Sequence, residues 1–478
     1  MMNPGKSPED FYRYDEEYRN NIATVDAEGK RRWVFVKKQG GRIHNARAYV
    51  TLALFSVYFI GPFLNWNGHP LFLFNFFDRK FIIFGYPFWP QDFFLLAIFL
   101  IIFFIFIIVF TVAFGRAWCG WACPQTLFLE MVFRKIEYWI EGDAPAQRRL
   151  QKAPWTFDKI WKKGAKQFIF ILISALISHL TLAYLIGLDE VKEIVTQPPV
   201  ERWGGFMAII AFTGIFYSVF AWFREQACIA VCPYGRLQGV LLGKESLAVI
   251  YDWLRGEPRA KISKHEEEKK GDCIDCKLCL HVCPTGIDIR NGTQLECVNC
   301  GACADACDEV MDKIERPRGL IRLSSLAGVE KGKHKTFTPR VIGFSAVLLL
   351  LLSLLTYLIT ARAEVQTTVL KMPGTLYART DDGLISNVYN IVFVNKTFRD
   401  MPLEVKIESP PDANITQLGN SSVMVPKDGL YKSTFVVKMS DKHLTGMTTE
   451  IVLGVYEKGK KISTERVKFL GPFVMKKK

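Results

Sequence analysis

The last 171 of the 478 residues contain no cysteine, and elsewhere all twelve cysteines fall into four short groups. A secreted disulfide framework rarely spaces its cysteines this closely, so that class is excluded, and the C-terminal part must fold without covalent help. Charge is also scarce. Only 23% of residues are Asp, Glu, Lys or Arg, while 50% are apolar and 13% aromatic. Disorder, collagen and a small stapled module are thereby excluded. Residues 1–42 lack an apolar run. The expectation is that there is no cleavable signal peptide and that the first apolar run acts as an uncleaved anchor. No recognition helix or aromatic-stacking module accompanies the net charge of +14, so no nucleic acid partner is expected.

What is present first is apolar sequence in blocks. Runs at about 45–64, 93–115, 167–187, 204–223 and 341–360 each approach the roughly 20 residues that span a bilayer. Basic residues alternate between their connections. Residues 1–44 hold nine Lys/Arg, 116–166 ten and 224–340 nineteen, whereas 65–92 and 188–203 hold two each. The positive-inside rule then puts the N-terminus and both basic loops in the cytoplasm, and residues 362–478 outside. The excess of positive charge reads mainly as a topology signal. Residues 65–91 are rich in Phe, Tyr and Trp, from Trp66 to Trp89, with Pro70, Pro87 and Pro90. They predict an interfacial loop on the outer leaflet. A quinone site there is weighed, but anchoring is the simpler account.

Two spans are each followed by C-x3-C-P: Phe114–Pro124 reads FGRAWCGWACP and Phe223–Pro233 reads FREQACIAVCP, with an offset of 109 between the pairs. The pattern suggests a duplicated two-helix hairpin. Cys119, Cys123, Cys228 and Cys232 would then lie at one depth. Soft thiolates select Cu(I), zinc or iron–sulfur. A copper site leads, with an additional iron–sulfur centre or unmetallated thiols as alternatives. Arg116 and Arg224 beside them read as boundary markers, or as charges that lower thiol pKa. Thr126–Ile140 predicts an amphipathic helix at the inner surface, with Leu127, Phe128, Met131, Ile136 and Trp139 on its apolar side and Arg134 and Lys135 reaching water.

Cys273–Pro284 reads CIDCKLCLHVCP, and Cys297–Cys307 repeats the spacing as CVNCGACADAC. Three thiols at x2 spacing and a fourth after x3 form the bacterial two-cluster ferredoxin pattern. It assigns Cys273, Cys276, Cys279 and Cys307 to one [4Fe-4S] cluster and Cys297, Cys300, Cys303 and Cys283 to the other. Zinc knuckles more often show two separate x2 pairs. Asp308 stands where a second proline is expected. Gly301, Asn299 and nearby amides are candidates to tune potential. A haem between His44 and His179 is weighed and ranked below polar helix contacts. Met131 and Met207 carry no specific metal signal, and His281 reads as exposed or as a hydrogen-bond partner rather than a ligand.

Period-two segments at 387–394, 402–408, 433–438, 449–456 and 463–469, some separated by turns such as Pro411-Asp412 and Asp428-Gly429, predict an antiparallel sandwich. The fold class expected is a multi-domain membrane protein. It combines a five-helix transmembrane bundle, a cytoplasmic bacterial-type 2[4Fe-4S] ferredoxin module and a C-terminal all-β immunoglobulin-like sandwich. The expected boundaries are 1–44, 45–240, 241–340, 341–361 and 362–478.

With GRAWCGWACPQT at 115–126, ACIAVCPYGRLQ at 227–238, the paired ferredoxin motifs and the closing strands in this order, the chain resembles the CcoG/FixG/RdxA family of cytochrome oxidase accessory proteins. The resemblance covers nearly the whole chain. It implies a bacterial inner-membrane protein that supports assembly of a cbb3-type cytochrome c oxidase, similar to cupric reductases that supply Cu(I). It also implies a periplasmic immunoglobulin-like domain. The eight ferredoxin cysteines carry over as cluster ligands, and the four membrane cysteines as sites of copper binding or reduction. Implied partners are copper ion, a cytosolic or membrane electron donor, a copper chaperone or exporter, oxidase assembly factors and the lipid bilayer. A homo-oligomer is compatible with the sequence. The rival readings are a quinol oxidoreductase subunit and a non-enzymatic assembly scaffold.

Overall fold

The computed structural model describes Thr24, Glu28 and residues 30–472, apart from 67–68, 78–79, 89–91, 262–270, 293, 333–336, 375, 381, 420–422, 428 and 445. Trp89, Pro90 and Asp428 therefore lie outside the described residues. The chain divides into two compact units, residues 1–64 with 98–353, and residues 65–97 with 354–478.

Among the described residues five helices are long and apolar enough to cross a membrane. They are α1 (Arg42–Ile60), α2 (Phe93–Phe114), α3 (Phe157–Ile186), α4 (Trp203–Tyr217, extended by a wider turn Ser218–Phe223) and α5 (Pro339–Thr360). The protein is a multi-pass membrane protein. No charged residue occurs in α2, and Phe99, Leu100, Phe103 and Phe104 on its surface are exposed, as a lipid-facing helix requires. Helix α3 starts where the Thr156 hydroxyl accepts from the Lys159 amide at 3.4 Å and stops at Gly187, φ 96°. Its 30 residues rise about 45 Å, more than the roughly 30 Å of a bilayer core. The surplus carries Lys159, Lys162, Lys163 and Lys166 beyond the apolar stretch.

The first unit's bundle is packed by aromatic rings. Phe133 stacks on Phe220 with centroids 4.6 Å apart and meets Phe170 edge-on at 4.8 Å, while Phe55 stacks on Phe128 at 4.4 Å. The Tyr58 and Thr181 hydroxyls are bonded at 2.8 Å. Segment 124–140 is helical with a wide turn at Leu129–Phe133, and Leu127, Phe128 and Met131 are buried. One side chain departs from the amphipathic reading: Arg134 is buried rather than in water, whereas Trp139 is exposed, as a lipid-facing side chain would be. Carboxylates capture it: Glu130 lies 2.6 Å and Glu225 3.2 Å from its guanidinium.

In the second unit, one sheet runs β4-β6-β2-β1 and the other β5-β3-β7-β8. The strands are β1 (Val365–Lys371), β2 (Ile385–Asn395), β3 (Met401–Ser409), β4 (Asn414–Leu418), β5 (Val423–Val425), β6 (Leu430–Met439), β7 (Thr448–Glu457) and β8 (Lys460–Leu470). All neighbours are antiparallel. The inner faces bury Tyr389, Ile391, Phe393, Val437, Ile451 and Phe469. Tyr389 remains wholly buried because its hydroxyl donates to the Lys468 carbonyl at 3.0 Å.

The predicted interfacial loop contains strands. Phe72–Asn75, Lys80–Ile83 and Tyr86–Phe88 make an antiparallel meander. Leu73 and Asn75 point inward, and Phe84-Gly85 turn with φ of 51° and 76°. Aromatic density had masked the period of two. Phe76, Phe77 and Phe84 remain exposed, as interfacial anchoring requires.

Asp92, just before α2, is buried between Lys396 and Arg362, at 2.6 and 2.5 Å. The Arg362 guanidinium also donates to the Pro87 carbonyl at 2.8 Å. Removing one partner of such a group leaves a buried charge uncompensated. Asp92→Ala is expected to destabilise this unit by about 3–5 kcal/mol, read as a lower unfolding midpoint. A midpoint unchanged within error would show that the cluster carries no stability.

Candidate electron-transfer and metal site

The two cysteine loops share a backbone pattern. Asp275 and Asn299, each two residues after the first cysteine, have φ of 52° and 53°, and Lys277 and Gly301, each after the second, have 59° and 77°. Left-handed residues alternating with ordinary ones turn successive amides to one side, making the concave nests that bind anionic iron–sulfur centres. The loops differ outside. A Cβ on Gly301 would lie 2.6 Å from Ile43 of α1, so only glycine fits there.

Cys283, Cys297, Cys300 and Cys303 line one cavity, with Cys279 also on its wall. Cys307 has Cys279, Cys273 and Cys276 around it. Burial first, and then these neighbours, push its thiol up to about 12. Burial likewise pushes Cys297 and Cys279 up to about 12. Asn299's amide bonds to the Cys297 sulfur and Ala302's to the Cys300 sulfur, each opposing that rise. Among the described residues no three Cys, His, Asp or Glu side chains close on one point as a single-ion site does. Thiols set around a cavity suit a multi-iron cluster, in which each sulfur holds its own iron. The amide nests, the cavity and its sulfurs fit such a group.

The membrane cysteines come from two separate helix ends and lie within electrostatic reach of one another, though among the described residues no three of them close on one point. Cys123 and Cys232 each precede a proline that opens a short helix, Pro124–Phe128 and Pro233–Leu241. Cys119 feels Cys123 and Cys232, while Cys228 feels Cys123, Cys119 and Cys232. Burial is the main cause that raises Cys119 to about 11 and Cys228 to about 12. The Cys119 thiol donates to Gln238 Oε1 at 3.0 Å, and Arg116 Nε donates to the same oxygen at 3.2 Å. Arg116 is therefore a buried neighbour of the thiol and not only a boundary marker. Arg224 is held elsewhere, with both guanidinium arms on Glu137 at 2.8 and 2.9 Å.

The first membrane motif lies directly on the second cysteine loop. A Cβ on Gly120 would stand 2.4 Å from the Val298 carbonyl oxygen and 3.0 Å from the Cys300 amide, and one on Gly115 would stand 2.1 Å from the Leu247 carbonyl oxygen. Trp121 Nε1 donates to the Asn299 carbonyl at 3.2 Å. Cys119 packs in the cluster formed by Val282, Val298, Cys300, Ala302 and Ala306. Asn299 is further fixed by the Val249 amide, which donates to its Oδ1 at 3.2 Å. From the other side, the Asp305 carboxylate caps α1 by accepting from the Ile43 and His44 amides at 3.0 and 2.7 Å.

The remaining candidates stay apart from these groups. His179 bonds within its own helix, to the Ala175 carbonyl at 2.7 Å, whereas His44 sits in the first turn of α1. Met131 is buried and Met207 exposed. His281 is exposed, and its carbonyl accepts from the Lys37 amide. Asp308, in the place of a proline, accepts from the Gly319 amide at 2.8 Å.

Known proteins match the whole arrangement. Residues 223–326 match a family described as a 4Fe-4S dicluster domain, 96–143 a 4Fe-4S binding domain, and 355–472 the IG-like fold at the C-terminus of FixG. Protein RdxA of Cereibacter sphaeroides is 32% identical over 89% of this chain and 94% of its own length. The chain belongs to the FixG/RdxA family. The nitrogen fixation protein FixG of Rhizobium meliloti is likewise 32% identical, over 82% of each chain. A crystal structure of a FixG-related protein from Vibrio parahaemolyticus covers 24% of this chain and 99% of its own, at 16% identity and a TM-score of 0.20. As a family member the chain is a membrane-associated iron–sulfur electron-transfer protein. The match at 96–143 contains only Cys119 and Cys123, two of the four thiolates that a cubane takes.

The fit at Gly120 gives a sign-reversing test. Gly120→Ala is expected to destabilise the protein by about 1–3 kcal/mol, because a methyl has no room against the Val298 backbone. Gly164 in α3 has nothing within 4 Å of its Cβ position. Gly164→Ala should stabilise by about 0.5–1 kcal/mol. Unfolding midpoints of the two variants moving in the same direction would contradict the tight seam.

Proposed function

We propose that this protein reduces Cu(II) to Cu(I) at Cys119, Cys123, Cys228 and Cys232, for assembly of a cbb3-type cytochrome c oxidase. The carrying observation is the seam itself. Cys119 packs on the cluster that contains Val298 and Cys300, and Cys123, Cys228 and Cys232 lie within electrostatic reach of one another and of Cys119. Cys273, Cys276, Cys279 and Cys307 would hold one [4Fe-4S] cluster, and Cys283, Cys297, Cys300 and Cys303 the other. When bound, these clusters supply one electron at a time. Each Cu(II) takes one electron to become Cu(I), and a cytosolic or membrane one-electron reductant is oxidised by one electron in turn.

The chain's own residues prepare the thiols. Gln238 accepts the Cys119 proton in a hydrogen bond, and Thr126 lies 3.9 Å from the Cys228 sulfur. Burial keeps these two thiols protonated at neutral pH, so binding copper as thiolates releases protons. Soft sulfur then favours Cu(I) over Cu(II) and so favours the reduced product. The reduced ion would pass to a copper chaperone or exporter. Basic-residue placement supports a bacterial inner-membrane topology with the N-terminus and ferredoxin region cytoplasmic and the C-terminal domain periplasmic.

Replacing all four membrane cysteines by serine is expected to abolish Cu(II) reduction, while iron remains at about eight atoms per chain with unchanged cluster EPR. Copper reduction retained in that variant would overturn the copper site. Loss of iron together with activity would instead assign the four thiols to a third cluster.

A further inference from the structure

Arg47 lies near the start of α1 and is fully buried. Its Nε donates to the Gly120 carbonyl at 3.0 Å, but neither terminal nitrogen has a hydrogen-bond partner among the described residues. A buried guanidinium with unpaired donors is unstable unless something anionic faces it. The chain's neighbouring acids are engaged: Glu130 holds Arg134, and Asp305 caps α1. What remains close is Cys300, whose thiol feels the Arg47 charge. Sulfur ligands of an anionic cluster accept hydrogen bonds, and such bonds together with net charge set cluster potential.

The other centre has an arginine too, but a neutralised one. Arg290, near Cys279, is bound by Asp288 and Asp275, each at 2.6 Å. Uncompensated positive charge is therefore found at the Cys300 side. Arg116 adds to it, with one terminal nitrogen unpaired and its charge acting on Cys119 and Cys297. The exposed ligand candidate, Cys276, belongs to the opposite centre.

We propose that Arg47 is a positioning residue that makes the Cys283/Cys297/Cys300/Cys303 centre the higher-potential member of the pair. That centre is thereby the exit toward Cys119, and electrons come in at the centre around Cys276. The inference rests on the ligand sets given above. Each transfer oxidises the Cys276 centre by one electron and reduces the Cys300 centre by one. Delivery to Cu(II) re-oxidises the latter, and no bond or proton need move between the two centres.

EPR-monitored redox titration of the full chain in detergent tests this. In Arg47→Gln, the oxidised-to-reduced ratio of the higher-potential centre at a fixed potential should rise about tenfold, a fall of 59 mV for a one-electron couple. The other centre should not move, and Arg47→Lys should restore the first to within about threefold. Two unmoved midpoints, or two equal shifts, would overturn the proposal. A second measurement does not depend on the variant Arg47→Gln folding. Wild-type protein carrying 15N-guanidino arginine should show 15N couplings to the reduced higher-potential centre by pulsed EPR, and Arg47→Lys should lose part of them, leaving those of Arg116. No coupling in wild type, or a coupling pattern unchanged in Arg47→Lys, would overturn the role of Arg47. Midpoints that shift as expected in a protein that reduces no copper would remove the copper reading alone. Copper reduction with unmoved midpoints would remove the Arg47 inference alone.

Discussion

The backbone of Gly120 rests on the backbone of Val298–Cys300, and the rest of the first unit is arranged around that contact. Two polypeptide backbones meet this closely only where one lacks a side chain, so GRAWCGWACP needs glycine between its cysteine pair as much as it needs the cysteines. The contact joins a membrane helix end to a soluble-type cluster fold. Trp121 bonds the same loop from one side, and Ile43 closes on Gly301 from another. Asp305 then uses the free amides of α1 as its partners, which satisfies a helix terminus and a carboxylate together.

Charge beneath the bundle is handled by pairing. Arg134 reaches Glu130, Glu225 and the Pro284 carbonyl, and so links segment 124–140, the second membrane motif and the cysteine loop. Arg224 grips Glu137, and Lys166 joins Glu137 and Glu141 at 3.6 and 2.9 Å. The guanidinium groups of Arg31 and Arg224 lie 4.6 and 4.8 Å from the centre of the Trp33 ring. Charged groups removed from water in this number are tolerable only as a network of paired charges. Against that background Arg47, with both terminal nitrogens open and no ion pair among the described residues, stands out, and its position beside a cysteine ligand candidate gives the vacancy in its bonding a chemical meaning.

Much of this was legible in the sequence because the relevant signals are local. Apolar length marked the five spanning helices, and alternation marked β2, β3, β6, β7 and β8. The short strands β4 and β5, and β1 beside the last span, carry too little pattern to be found that way. In Phe72–Phe88 the aromatic and aliphatic residues fall on both faces, as in Phe76-Phe77 and Phe81–Phe84, so period two is invisible until burial is known. Arg134 was misplaced for a different reason. An arginine on a helix reads as solvent-facing until Glu225, 91 residues away, is folded against it. Arg47 is illegible for the same cause: its significance lies in terminal nitrogens left without a hydrogen-bond partner among the described residues, which only packing decides.

The two C-x3-C-P motifs are alike in sequence but not in surroundings. The first has glycines at 115 and 120 and docks on the cysteine loop. The second has Arg224 and Glu225 before its cysteines, and ion pairs to Glu137 and Arg134 anchor it. No glycine separates Cys228 from Cys232, so a backbone approach like that at Gly120 is not built into this copy. Equal thiol spacing thus supports unequal work. The first motif rests on the cysteine loop through Gly120, and the second is held by ion pairs to Glu137 and Arg134. Two motifs of equal thiol spacing cease to be equivalent once one of them alone has a partner surface, and here a glycine placed between two cysteines makes that difference.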